Sequence, residues 1–164
     1  MPVKTLILGL GNDLYGDDGI GLHIVRMIQD SPARLDAGPK QTGEIDLQPC
    51  SLTGLSILDE IVGYDNLIII DTIKKENPVT GRIRIMEEED VRHIPGPSPH
   101  YVSLPQMVEI GRRLNLKVPG RIKIIAVEAK NMYNLGEGLT PEMKKAVPNI
   151  LSRLNSILRT LNHE

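Results

Sequence analysis

The segment Leu6-Ile7-Leu8-Gly9-Leu10-Gly11-Asn12-Asp13-Leu14-Tyr15-Gly16-Asp17-Asp18-Gly19-Ile20-Gly21 constrains this chain more than any other. Its apolar run, Thr5–Leu10, has no polar alternation and suits a central parallel strand buried on both faces. Gly9 and Gly11 allow a turn where a side chain would clash. Asp17 and Asp18 then fall where a helix continuing through Ile20, Ile24, Val25 and Ile28 must begin. Acidic side chains suit that end of a helix, and Asp is among the best N-caps. Two consecutive Asp exceed what one cap requires, so the expectation is that one caps and the other points into a cleft. In open α/β sheets ligands bind outside the carboxyl ends of the strands, which makes this pair a site candidate.

The rest of the chain alternates strands and helices. Glu44–Gln48, Asn66–Ile70, Arg82–Met86 and Arg121–Val127 read as further strands. Leu52–Val62, with Leu55, Leu58, Ile61 and Val62 at helical spacing, and Ser103–Leu114, with Leu104, Met107, Val108 and Leu114 inward, read as helices. Ser31–Gly43, rich in Pro, Gly and Lys, reads as a loop. Thr140-Pro141-Glu142 opens a long C-terminal helix, Thr as cap and Pro at its first position. Its stripe is Val147, Ile150, Leu151, Leu154, Ile157, Leu158 and Leu161, with Pro148 placed to bend its first turns. The pattern predicts a three-layer α/β/α sandwich around a mostly parallel, twisted, five-stranded sheet. The 164 residues fit one domain, able to bury about 70% of the unfolded surface.

Composition removes several classes of function. The 19 basic against 21 acidic residues give a net charge of −2, no field to draw nucleic acid or an anionic membrane. Four Tyr with no Phe or Trp leave little for stacking bases. Cys50 is the only cysteine, so neither an internal disulfide nor a Cys-based zinc site can form. That fits a reducing cytoplasm. No segment approaches ~18 continuous apolar residues. The expectation is a cytoplasmic protein with neither nucleic acid nor membrane as partner. Cys50, near a strand end and without a neighbouring His, reads as a small buried hydrophobe.

Three residues could carry chemistry together. Asp71 ends the run Leu67-Ile68-Ile69-Ile70, a second carboxylate at the end of a buried strand; such an Asp also serves as a loop cap. His100 lies in Gly96-Pro97-Ser98-Pro99-His100, where flanking prolines fix an imidazole at low entropic cost, as a ligand or base needs; a surface turn is the plainer reading. His23 reads as a rim or packing residue, His93 as part of a solvated acidic face, and His163 as frayed terminus. Asp18, Asp71 and His100 form an oxygen, oxygen, nitrogen set suited to a divalent ion such as nickel, zinc or manganese. Neither an H-E-x-x-H helix, a G-x-S-x-G elbow nor a Walker A loop occurs. Leu14 occupies the sixth position of the dinucleotide fingerprint that Gly9 and Gly11 begin, so that fingerprint fails.

Across almost its whole length the chain resembles the hydrogenase maturation endopeptidases, which process the large subunit of nickel–iron hydrogenases. The resemblance rests on GLGNDLYGDDGIG (Gly9–Gly21) and SPHYVSLPQMV (Ser98–Val108). LIIIDTI (Leu67–Ile73), GRIRI (Gly81–Ile85), the strand and loop of Arg121–Gly138, and GLTPEMKKAV (Gly138–Val147) support it. It implies that Asp18, Asp71 and His100, the three reached above, bind metal and form the active site. It further implies a peptidase that removes a short C-terminal extension from the precursor after nickel insertion. The nickel sensed is then the substrate's own, with no organic cofactor, in an aspartyl or metal-type enzyme. The implied partner is the precursor; a monomer in transient contact with it is the simplest expectation. One departure is Pro49-Cys50-Ser51-Leu52-Thr53-Gly54-Leu55, where many members have a Gly-Thr turn; this bears on substrate selection. The GLGN start also occurs in peptidyl-tRNA hydrolases, but their Thr-Arg-His-Asn block is missing here. A non-catalytic nickel-checking or chaperone protein would use the same ligands without a cut.

Overall fold

In a computed structural model of the chain, residues 2–39, 41–91, 104–130, 135–136 and 138–162 are described. Among them five strands form one sheet: β1 (Lys4–Leu10), β2 (Glu44–Cys50), β3 (Asn66–Ile73), β4 (Ile83–Glu87) and β5 (Arg121–Glu128). Their order is β2-β1-β3-β5-β4. All neighbours are parallel except β4, which runs antiparallel along β5 at one edge. β1 from Thr5 onward and the whole of β3 are buried because both faces are covered, and their centres, Leu6–Leu8 and Leu67–Ile70, are apolar. Edge strand β2, with one buried residue in seven, alternates instead, since only one of its faces meets the interior.

The helices are α1 (Ile20–Asp30), α2 (Ser56–Ile61), α3 (Glu88–Val91), α4 (Leu104–Arg113) and α5 (Pro141–Leu161). Ile20, Ile24 and Ile28 of α1 join Val147, Ile150, Leu154 and Leu158 of α5 over one face of the sheet. Ile57 and Ile61 of α2, Val91 of α3 and Leu104, Met107 and Val108 of α4 cover the other. This is the expected three-layer sandwich. From β1 the chain steps one way to β2 and later the other way to β3, so strand order reverses between β1 and β3. Such a reversal opens a crevice at the carboxyl ends of the two strands.

Two helices are shorter than their periodicity suggests. α2 starts at Ser56, because Gly54 takes a left-handed conformation (φ +63°) that a helix cannot include. Leu55 therefore lies before the first turn and is 61% exposed, against the inward position expected of it. α4 stops at Arg113 in a Schellman motif. Asn115, at φ +56°, donates its N–H to the Arg112 carbonyl, and Leu116 donates to Gly111. That turn carries Leu114 outward as well. Thr140 does cap α5, its hydroxyl oxygen accepting the Met143 N–H at 3.3 Å, and the helix runs on through Pro148. Among the described residues no helix is long and apolar enough to cross a membrane.

At Gly9 and Gly21 it is contact that requires glycine, and at Gly11 both contact and a φ of +150°. A Cβ on Gly21 would sit 2.3 Å from the Ile70 carbonyl oxygen and 2.4 Å from that of Leu10. A Cβ on Gly9 would lie 2.2 Å from the Gly21 carbonyl oxygen, and one on Gly11 2.1 Å from that of Asp18. Helix α1 thus begins in backbone contact with the ends of β1 and β3. Gly21→Ala should cost roughly 2–3 kcal/mol, since the strands cannot yield. In thermal unfolding that is a fall in Tm of about 4–12 °C for a domain this size. Gly120→Ala, where nothing lies within 4 Å, should leave Tm unchanged.

Candidate active site

Between β1 and α1 the chain forms a single 3-10 turn, Gly16–Gly19, that holds both aspartates. Neither acts as the expected helix cap. The residues at the cap positions are Tyr15 for the turn and Gly19 for α1, and neither makes a side-chain cap bond. Both carboxylates are instead spent on distant parts of the chain.

Asp18 is buried at the crevice between β1 and β3. Its Oδ2 accepts the Asn12 N–H at 3.0 Å, and its Oδ1 accepts the Thr72 hydroxyl at 2.7 Å. Asp71, with no exposed surface, accepts the N–H of Thr72 at 2.7 Å through its own Oδ1. Successive strand residues face opposite sides of a sheet. Asp71 therefore lies on the side of Ile69 and Ile73, under α2 and α4, and Thr72 on the side of Ile68 and Ile70, under α1 and α5. The Asp71-Thr72 pair straddles the sheet, and the Thr72 hydroxyl brings Asp18 to the end of β3. Asp18 and Asp71 are thus linked through Thr72, one to its hydroxyl and the other to its N–H, from opposite faces of the sheet. His100 lies outside the described residues, as do His93 and His163. Among the described residues no group of three His, Cys, Asp or Glu side chains is placed to hold a metal ion.

Asp17, also buried, turns away from β3 to the start of α5. Its Oδ1 accepts the Thr140 N–H and its Oδ2 the Thr140 hydroxyl, each at 2.8 Å. Glu128 is a buried carboxylate that the sequence reading passed over. It ends β5 as Asp71 ends the central run of β3, so extending that strand by one residue would have found it. Its partners are the Val79 N–H at 3.4 Å and the Arg82 Nε at 3.8 Å, which tie down the β3–β4 connection. Thr72 was missed because a hydroxyl inside an apolar strand carries no pattern of its own. Cys50 is buried at the end of β2, and burial pushes its thiol pKa up, as suits a packing residue and not a nucleophile.

His23 stands on the outer side of α1, exposed, beside a cavity of about 490 Å³ lined also by Asp13, Arg26, Arg34 and Leu139. Neither Asp18 nor Asp71 lines that cavity. Partial loss of water around the His23 ring lowers its pKa, and the positive Lys144 and Arg26 lower it further.

The family profile described as hydrogenase maturation protease matches residues 51–157. The chain belongs to the hydrogenase maturation protease family. That makes it a peptidase, and the matched span includes Asp71 and His100 while leaving the Gly9–Gly21 loop to pairwise comparison. The chain is 24% identical over 159 residues to the hydrogenase 2 maturation protease of Escherichia coli (strain K12), covering 96% of this chain and 92% of that protein. It is likewise 24% identical over 158 residues to the hydrogenase expression/formation protein HoxM of Cupriavidus necator, covering 94% and 74%. Its fold superposes on the hydrogenase maturating endopeptidase HybD from E. coli with a TM-score of 0.76 and 25% identity, over 96% of this chain and 93% of that one. The [NiFe] hydrogenase maturation protease HybD from Thermococcus kodakarensis shares the fold at a TM-score of 0.68 and 21% identity, over 95% and 99%.

Two measurements test this geometry. Thr72→Val removes a buried hydrogen bond to a carboxylate and should cost about 1.5–3 kcal/mol, read as a lower urea midpoint at unchanged slope. Thr72→Ser, which keeps the hydroxyl, should cost less. By NMR, His23 should titrate below 6.5, and Lys144→Ala should move its midpoint upward. Because protonation is harder in the folded state, this group's contribution is intact above 6.5 and is lost as pH falls below it.

Proposed function

We propose that this protein is the endopeptidase that removes the C-terminal extension of a nickel–iron hydrogenase large-subunit precursor once nickel has been inserted. The observation that carries the reading is the meeting of Asp18 with the Asp71-Thr72 pair at the strand reversal, in a chain of this family. His100 completes the proposed set. It stands four positions before Leu104, where α4 begins, and α4 packs on the sheet face that carries Asp71.

The reaction adds water across one peptide bond, leaving a carboxylate on the mature subunit and an amine on the released extension. The nickel belongs to the substrate. A nickel already held by the precursor's thiolates still accepts oxygen and nitrogen ligands, so Asp18, Asp71 and His100 would bind tightly only to a loaded precursor. The same ion can polarise the scissile carbonyl or a water. The Asn12 N–H and the Thr72 hydroxyl hold the Asp18 carboxylate in one orientation, as groups behind a ligating carboxylate do. In this reading the protein works in the cytoplasm as a monomer that meets its precursor transiently.

Mass spectrometry of a nickel-loaded and a nickel-free precursor after incubation with the protein tests this directly. Loss of a C-terminal peptide from the loaded form alone, abolished by His100→Ala and by Asp18→Asn, is the expected result. Equal cutting of both forms would overturn nickel sensing. Binding of the loaded form without any cut would make the protein a checking factor instead of a protease.

A further inference from the structure

Asp17 has a defined task that its proximity to Asp18 disguises. The two carboxylates leave one turn in different directions, Asp18 towards β3 and Asp17 towards α5. Both Asp17 oxygens go to a single residue, Thr140, whose hydroxyl at once donates to Asp17 and accepts the Met143 N–H that opens α5. The same two segments are joined a second time. Gly16 donates its N–H to the Gly136 carbonyl, and Gly136 donates to that of Leu14, each at 3.0 Å. Four hydrogen bonds therefore clamp residues 14–17 onto the chain entering α5, and α5 is itself anchored by five buried apolar side chains from Val147 to Leu161. The turn holding Asp18 has few apolar anchors of its own, being made of Gly16, Asp17, Asp18 and Gly19.

Resting on the function proposed above, we infer that Asp17 is a positioning residue. It neither touches substrate nor moves a proton, but fixes the 3-10 turn against α5 so that Asp18 stays pointed at Thr72 and the end of β3. Charge is not what the task needs. An Asn can accept the Thr140 N–H with its oxygen and donate its amide to the Thr140 hydroxyl oxygen, which has a second lone pair.

The test compares Asp17→Ala, Asp17→Asn, Thr140→Val and the double variant Asp17→Ala/Thr140→Val. In cleavage of nickel-loaded precursor, Asp17→Ala and Thr140→Val should each lower kcat/KM by roughly 10- to 100-fold, as loss of an orienting partner does. The double variant should be no worse than the poorer single one, and Asp17→Asn should keep most of the activity. An Asn variant as inactive as the Ala one, or Thr140→Val with full activity, would overturn the inference by giving Asp17 a role of its own. Amide hydrogen exchange needs no substrate and separates this inference from the protease reading. In Asp17→Ala, exchange should quicken at Thr140 and also at Asn12, whose N–H is held by Asp18. Quickening at Thr140 with Asn12 unchanged would show a local cap only and would overturn the inference even where cleavage fails for every variant.

Discussion

Backbone contact between the start of α1 and the ends of β1 and β3 is the constraint on which the rest depends. Gly21 lies against the Leu10 and Ile70 carbonyls with no room for a Cβ, and Gly9 and Gly11 admit the returning turn. Helix and sheet usually stand a side chain apart. Here that spacing collapses, and the Gly16–Gly19 turn is drawn down onto the strand ends. Only at this distance can a side chain as short as Asp18 reach the hydroxyl of Thr72. Longer acids would reach across a wider gap but with more rotamers to fix.

Once the turn is lowered, its carboxylates must be satisfied, because buried charge without partners is costly. The chain meets this requirement with groups drawn from far apart in sequence: the Asn12 amide, the Thr72 hydroxyl, and the amide and hydroxyl of Thr140. The polar network thus ties the turn both to the central sheet and to the start of α5. Thr72 lies under the α1 and α5 layer and Asp71 under the α2 and α4 layer, so adjacent residues of one strand serve opposite faces.

Most of the architecture was legible because burial writes itself into composition. The unbroken runs of β1 and β3, the stripe of α5 and the Thr140-Pro141 start all correspond to observed elements. The aspartates were legible as site candidates for a simpler reason: carboxylates at or just beyond the ends of buried strands have few other reasons to be there. Their partners were not. Helix-capping propensity describes Asp in isolated helices, whereas a tertiary partner 123 residues away took Asp17 from that role. The misjudged ends of α2 and α4 turn on single left-handed residues, Gly54 and Asn115, which periodicity cannot register.

The pairing of β1 with β3 matches Thr5 to Asn66, with the whole of β2 and α2 looped out between them. Closing that loop loses chain entropy before any contact compensates, which places such parallel sheets among the slower topologies to fold. The crevice inherits this dependence. Asp18, Asp71 and Thr140 come from the first, middle and last parts of the chain, and no hairpin or local fragment contains two of them. The hydrogen bonds that orient Asp17 and Asp18 towards Thr140 and Thr72 can therefore form only once segments far apart in the chain have come together.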